Sequence, residues 1–305
     1  MTQAADNREN RIFESLRKCA PSAQRLGGGR WSFALVNGKS LGVNARAIEE
    51  WLLLEASLTD RIDPAQLWDL LRLNGTLEGP GKFALMPDNR SLRLLADIPL
   101  PGDEYVGDEP EGECDEHFTQ RLLEACAAMK AAFRRFRGRK ESDQPGSISS
   151  SDAGRQSEIG AVELRDRCAD AGWPFIERAA GKLAFDLEAH GGFYQATVEP
   201  HGRGARVWVE LARWEALGDS SRQALGALLL KTGARVKLAR PSIEEGEALI
   251  AARLEVDFIG APTPGELRHA LSSLSVACML CARETRVIQD EAIAREYLAI
   301  GVAAP

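Results

Sequence analysis

The sequence predicts an α+β protein of two tandem α-β-β-β-α-β-β-α units, each an antiparallel sheet packed with helices, the pair arranged as a pseudodimer. Three observations carry this reading. A polar stretch lies near mid-chain, the segments on either side of it repeat one order of elements, and glycine and proline punctuate both copies at matching places. At 305 residues the chain exceeds what one hydrophobic core usually organises. Hydrophobic residues at 44% and charged residues at 27% are those of an ordinary globular protein.

The first unit is expected over residues 1–137, a flexible linker over 138–157 and the second unit over 158–305. Between Gly138 and Ser157 the only large aliphatic residue is Ile148, so this stretch buries too little surface to offset its ordering entropy. Copy one opens with a helix around Asn7 to Leu26. Strand-like segments follow at Trp31–Val36 and Ser40–Ala45, joined by the turn Asn37-Gly38, and Trp51–Leu58 is compatible with either strand or helix. Copy two opens with a helix over Glu158–Ala171. Its strands are read at Lys182–Leu187, Phe193–Glu199 and Arg206–Trp214.

A helix end then recurs, as Leu70-Leu71-Arg72-Leu73-Asn74-Gly75 and as Leu228-Leu229-Leu230-Lys231-Thr232-Gly233, each glycine placed where a left-handed residue costs least. Hairpins follow. Their strands are Lys82–Met86 with Leu92–Ile98, and Ala234–Ala239 with Ala248–Phe258, the latter pair turning at Glu244–Gly246. After breaks at Pro99 and Pro101, and at Pro262 and Pro264, an amphipathic helix closes each unit. One carries Phe118, Leu122, Ala125, Met129, Phe133 and Phe136; the other carries Leu267, Leu271, Leu274, Cys278 and Cys281. The acidic stretch Gly102–Glu116 is expected as a surface loop before the first of these helices.

The net charge of -7 and pI near 5.4 argue against a nucleic-acid binder, which needs excess cations to neutralise phosphates. The basic run Arg134–Lys140 reads instead as cations complementing a helix C-terminus. No apolar run is long enough for a membrane helix and the first residues do not resemble a signal peptide, so no membrane association is expected. The six cysteines, Cys19, Cys114, Cys126, Cys168, Cys278 and Cys281, are read as reduced thiols of a cytoplasmic protein.

No catalytic residue, metal ligand or cofactor site emerges. Cys278 and Cys281 have redox spacing, but they fall inside a helix and not at the N-terminus that would lower a thiol pKa. His117, His190, His201 and His269 form no ligand pattern, and Gly27–Gly29 and Gly202–Gly204 read as turns because neither links a strand to a helix. Trp208 stands out. Alternation sets it opposite Val207, Val209 and Leu211, on the second face of its sheet, where it could meet the other unit or a ligand.

The order of elements, with Leu70–Asn74, Phe83-Ala84-Leu85, Leu92-Arg93-Leu94 and the helix from Phe118, resembles the type III secretion chaperone fold and its relatives of the YbjN type. The resemblance implies a non-enzymatic, cytoplasmic chaperone-like module whose partner is a protein or extended peptide segment. Two units in one chain imply a monomer with two-fold pseudosymmetry in place of a homodimer. The resemblance would place the partner on exposed apolar patches of the first and last helices and on sheet surfaces, which here points to Ile12, Phe13 and Leu16 and to Leu164. Two alternatives stay open: a regulatory protein of the YbjN type that binds a folded partner, and an enzyme using Cys278 or Cys281.

Overall fold

The computed structural model describes residues 3–37, 39–88, 90–100, 111–141, 159–178, 181–189 and 192–303. The first half forms α1 (Gln3–Cys19), β1 (Gln24–Arg25), β2 (Arg30–Asn37), β3 (Lys39–Ile48), β4 (Trp51–Thr59), α2 (Leu67–Gly75), β5 (Gly81–Leu85), β6 (Leu92–Pro99) and α3 (Glu111–Glu141). The second half forms α4 (Ala161–Asp170), β7 (Ile176–Glu177), β8 (Leu183–Ala189), β9 (Gly192–His201), β10 (Gly204–Trp214), α5 (Asp219–Arg235), β11 (Arg240–Glu245), β12 (Ile250–Phe258), α6 (Pro264–Val287) and α7 (Glu291–Ala303). Each half contributes one six-stranded antiparallel sheet, in the orders β1-β2-β3-β4-β6-β5 and β7-β8-β9-β10-β12-β11. The two orders are the same, so the fold is a tandem of two like units.

Alternation sets one face of each sheet toward a core. In the first unit Trp31, Phe33, Leu35, Leu52, Leu54 and Leu94 point inward under α3, and α1 packs on α3. In the second, α6 covers the inward Val207, Val209, Leu211 and Leu254, with α4 beside it. Thr263 and Glu266 form a capping box at the start of α6, with Pro264 at a first-turn position where its missing N–H costs nothing. Among the described residues no helix is long and apolar enough to cross a membrane.

The second face of each sheet is where the units meet. Helix α2 packs on β11 of the other unit, α5 packs on β5, and the two helices cross each other. A Cβ on Gly226 would lie 2.7 Å from Leu67 Cβ, so only glycine permits this approach. The middle of helix α5, Ala224–Leu230, is apolar on all sides and correspondingly buried, with α7 covering its remaining flank. The edge strands β5 and β11 are clamped by Asn74, whose amide donates to Phe83 O (3.1 Å) and Pro241 O (2.9 Å) and accepts from Phe83 N (2.8 Å).

Around this clamp lies a reciprocal set of buried charges. Lys82, 1% exposed, pairs with Asp97 (2.6 Å) and donates to Val236 O of the second unit (2.6 Å). Arg240, 2% exposed, pairs with Glu255 (3.0 Å) and donates to Gly79 O of the first unit (2.8 Å). Asp97 accepts from Leu238 N (2.8 Å) and Asp257 from Gly79 N (3.0 Å). Each unit thus places a buried cation and a buried carboxylate where they bind backbone of its neighbour. Farther along the seam, Arg121 of α3 makes a two-pronged pair with Glu266 of α6 (2.7 and 2.8 Å).

Several expectations change. Trp51–Leu58 is strand β4. Helix α1 ends at Cys19, ahead of Pro21, and not at Leu26. Strand β11 occupies Arg240–Glu245 where Ala234–Ala239 was expected; Pro241 lies within it because an edge strand tolerates a residue lacking a ladder donor. Neither Gly75 nor Gly233 is left-handed. Gly233 is small for packing, since a Cβ there would lie 2.8 Å from Pro241, whereas one on Gly75 would meet Ser242 at 3.4 Å, an ordinary contact. Helix α3 begins at Glu111, inside the expected loop, because acidic composition suits a helix N-terminus as well as a loop. It continues through Glu141 into the expected linker, whose residues 142–157 lie outside the described ones, as do 102–110 of the loop.

Replacing Asp97 by Ala strands the Lys82 ammonium at the seam and should cost about 3–5 kcal/mol in urea denaturation. Adding Lys82→Met should return much of that loss; strict additivity of the two changes would contradict the pairing. A second expectation concerns pH. Burial opposes charge on Glu266, but the hydrogen bond with His117, the charge and hydrogen bonds of Arg121 and the Thr263 N–H outweigh it and hold the carboxyl down to about 2. Its folded pKa is depressed, so its stabilisation is complete above the ordinary carboxylate value and is lost as pH falls from about 4.5 toward 2. By linkage this amounts to at most about 3 kcal/mol. Stability curves of wild type and Glu266→Gln should therefore converge across that interval, and a constant gap would refute the assignment.

Candidate functional site

The expected partner patch on the first helices is not exposed. Ile12, Leu16 and Leu164 are core residues, because the apolar stripes of α1 and α4 face α3 and α6. Ser15 and Thr119 pair at 2.9 Å between α1 and α3 and fix that orientation. Phe13 is half-buried with the Arg25 guanidinium 4.3 Å above its ring. The exposure expected of these helices is thus corrected by their packing.

Trp208 does lie on the second face of its sheet, partly buried. Its indole donates to Glu199 (3.1 Å) and carries Arg253 4.4 Å over its ring, both from its own unit. Beside it Arg206 pairs with Asp257 (3.4 Å), and Lys182 pairs with Glu199. Bulky, mutually paired side chains therefore fill this face. Trp51 and Trp68 meet the opposite unit. Trp51 lies between His269 (5.4 Å, edge-on) and Lys237 (5.2 Å), and Trp68 donates to Glu245 (2.9 Å).

The corresponding face of the first sheet is open. Register places Leu53 opposite Asp97 as Arg206 is opposite Asp257, so Leu53 and Glu55 occupy the places of Arg206 and Trp208. These smaller side chains leave a groove of about 500 Å³, overhung by Ala234–Lys237 at the end of α5. The groove therefore belongs to both units. Its rim carries Arg30, Arg46, Arg235 and Lys237. Its two carboxylates are already paired, Glu55 with Arg93 (3.2 Å) and Asp97 with Lys82. A second cavity at the seam, about 40 Å³, lies beside Arg240 and Asp257 and has room for little more than a water.

Sequence reading missed both the buried charges and the groove. The signal for the first was Lys82 beside Phe83, and Asp97 after Leu94-Leu95-Ala96: ionic residues inside otherwise apolar strands. The groove has no local signal, since it depends on which register position faces which. Among the described residues no three His, Cys, Asp or Glu side chains are grouped to hold a metal ion.

The thiols divide sharply. Burial pushes Cys278 and Cys281 up to about 12, and Cys281 donates to Ala277 O (3.2 Å) within α6. Cys168 is likewise raised to about 12 by burial. Cys19 behaves oppositely. The hydrogen bond from Cys126 lowers it, aided by Lys130 and Lys18 against its partial burial, while the same contact raises Cys126. Alkylation with iodoacetamide near neutral pH, mapped by mass spectrometry, should label Cys19 well ahead of Cys278 and Cys281, whose thiolate fraction is roughly a thousand-fold below that of an ordinary thiol. Comparable rates at all three would overturn this ordering.

Comparison of the chain with protein-family models, with curated proteins and with solved structures finds no match.

Proposed function

We propose that this chain is a non-enzymatic, chaperone-like protein-binding module of a reducing cytoplasm, which holds an extended segment of a partner protein and acts as an intramolecular pseudodimer. The observation that carries the reading is the groove on the first sheet. It runs over a strand surface, where an extended chain can set alternate side chains into the floor, and it exists only because the second unit overhangs the first. The seam supports the pseudodimer. The middle helices and edge strands that could pair two separate copies are spent on each other within one chain. The raised pKa values of Cys278 and Cys281 favour binding over thiol chemistry.

Light scattering after size exclusion should give the monomer mass of 33.2 kDa. The binding half of the proposal is tested by affinity capture from native cytoplasm followed by limited proteolysis of the captured complex. The expected result is a protected, otherwise protease-sensitive segment of the partner. Capture of folded, fully protease-resistant partners alone would favour the regulatory alternative and overturn this one.

A further inference from the structure

The groove also has a chemistry. We infer that it is built for an acidic, extended peptide whose carboxylates meet the rim while apolar side chains at alternate positions meet the floor; this names the ligand class of the site and rests on the reading above.

Charge is the first argument. Arg30 of β2 and Arg46 of β3 are exposed on one wall, and Arg235 and Lys237 stand on the other. Among the described residues Arg46 and Arg235 make no ion pair, and Arg30 has only a 3.5 Å contact to Gly27 O. With Glu55 and Asp97 neutralised by Arg93 and Lys82, the groove is net cationic in a chain of net charge -7. A concave cationic strip on an acidic protein attracts anions against the field of the whole molecule, which concentrates selectivity there.

The floor supplies the second argument. Leu53 and Leu95 lie half-buried along it, on neighbouring strands β4 and β6. Outward side chains of a sheet repeat every second residue, which matches the spacing of one face of an extended peptide. The volume of about 500 Å³ is in the range that encloses a drug-sized ligand or a few residues of peptide. Single-stranded nucleic acid would want exposed rings on which to stack its bases. The one aromatic residue at the groove, Trp31, is 1% exposed and points into the core.

Divergence of the two units is the third argument. Trp208 and Arg206 occupy the equivalent face of the second sheet, where Leu53 and Glu55 stand in the first, so the larger side chains define how to close the groove.

The test is fluorescence anisotropy on the full chain with three labelled probes: a short peptide alternating glutamate and valine, its lysine–valine counterpart, and oligothymidylate. The acidic peptide should bind tightest, and more weakly as salt rises. Arg46→Glu with Arg235→Glu, both at exposed positions, should weaken it by about tenfold or more. Glu55→Trp, which copies the second unit, should do the same by filling the groove, although removing a carboxylate would by charge alone tighten binding. Unchanged thermal midpoints keep these losses from reflecting misfolding. Equal binding of acidic and basic peptides, preferential binding of oligothymidylate, or full affinity in Glu55→Trp would overturn the inference. If these variants still capture a protected partner segment, the groove is wrong while the chaperone-like reading stands; if the acidic peptide binds as described but no segment is ever captured, the reverse holds.

Discussion

Everything else in this architecture depends on a buried exchange of charges across a local two-fold. Asp97 and Asp257 hold equivalent places on β6 and β12, and each accepts a backbone N–H from the helix–strand connection of the other unit. Lys82 and Arg240 neutralise them from β5 and β11 and donate onward to carbonyls of the opposite unit. Isolated charges at such depth would be prohibitively costly, so the set is tolerable only when both halves are in register. The two residues whose N–H groups are bound, Gly79 and Leu238, both adopt left-handed backbone, with φ of 75° and 61°. For glycine this is free. For Leu238 it costs of order 1 kcal/mol, a local strain held in place by the bond to Asp97.

The exchange explains why the helices are distributed as they are. Because α2 and α5 each lie chiefly on the other unit's edge strand, each unit relies on its neighbour to cover the second face of its hairpin. The middle of α5, Ala224–Leu230, can then be apolar all round, which would be a liability on the surface of a single unit. Edge strands β5 and β11, ready templates for pairing with foreign chains, are retired by Asn74 and by the helices above them. One sequence signature, the asparagine closing the Leu-rich helix, thus acquires a physical role as the clamp between strands.

How much of this was legible follows from what each signal encodes. Alternation in Val207, Val209 and Leu211 and the helical spacing of Phe118, Leu122 and Met129 report local periodicity, and those elements lie where the pattern put them. Periodicity also told that Ile12 and Leu16 share one face of α1 and that Leu164 lies on the apolar face of α4, but not whether those faces look inward or outward; the packing of α1 on α3 and of α4 on α6 decides that. Lys82 and Asp97 stand out as charges inside apolar strands, but their burial was unreadable for a related reason. A charge in a strand ordinarily marks the solvent face, and only the presence of the second unit turns that face into an interior. The shift of β11 to Arg240–Glu245 belongs here too, since Pro241 signals a strand end locally and is acceptable only because β11 is an edge.

Duplication supplies the scaffold, but the difference between copies supplies the candidate site. If both units kept Arg206 and Trp208 at these register positions, the second faces of both sheets would be closed by stacked and paired side chains. With Leu53 and Glu55 in the first unit the same backbone leaves a groove, and the overhang of Arg235 and Lys237 from the second unit gives it a cationic rim. A homodimer of identical units could not be open on one sheet and closed on the other. Joining the copies in one chain frees each to diverge, and the seam of buried charges ties each to the backbone of the other while they do.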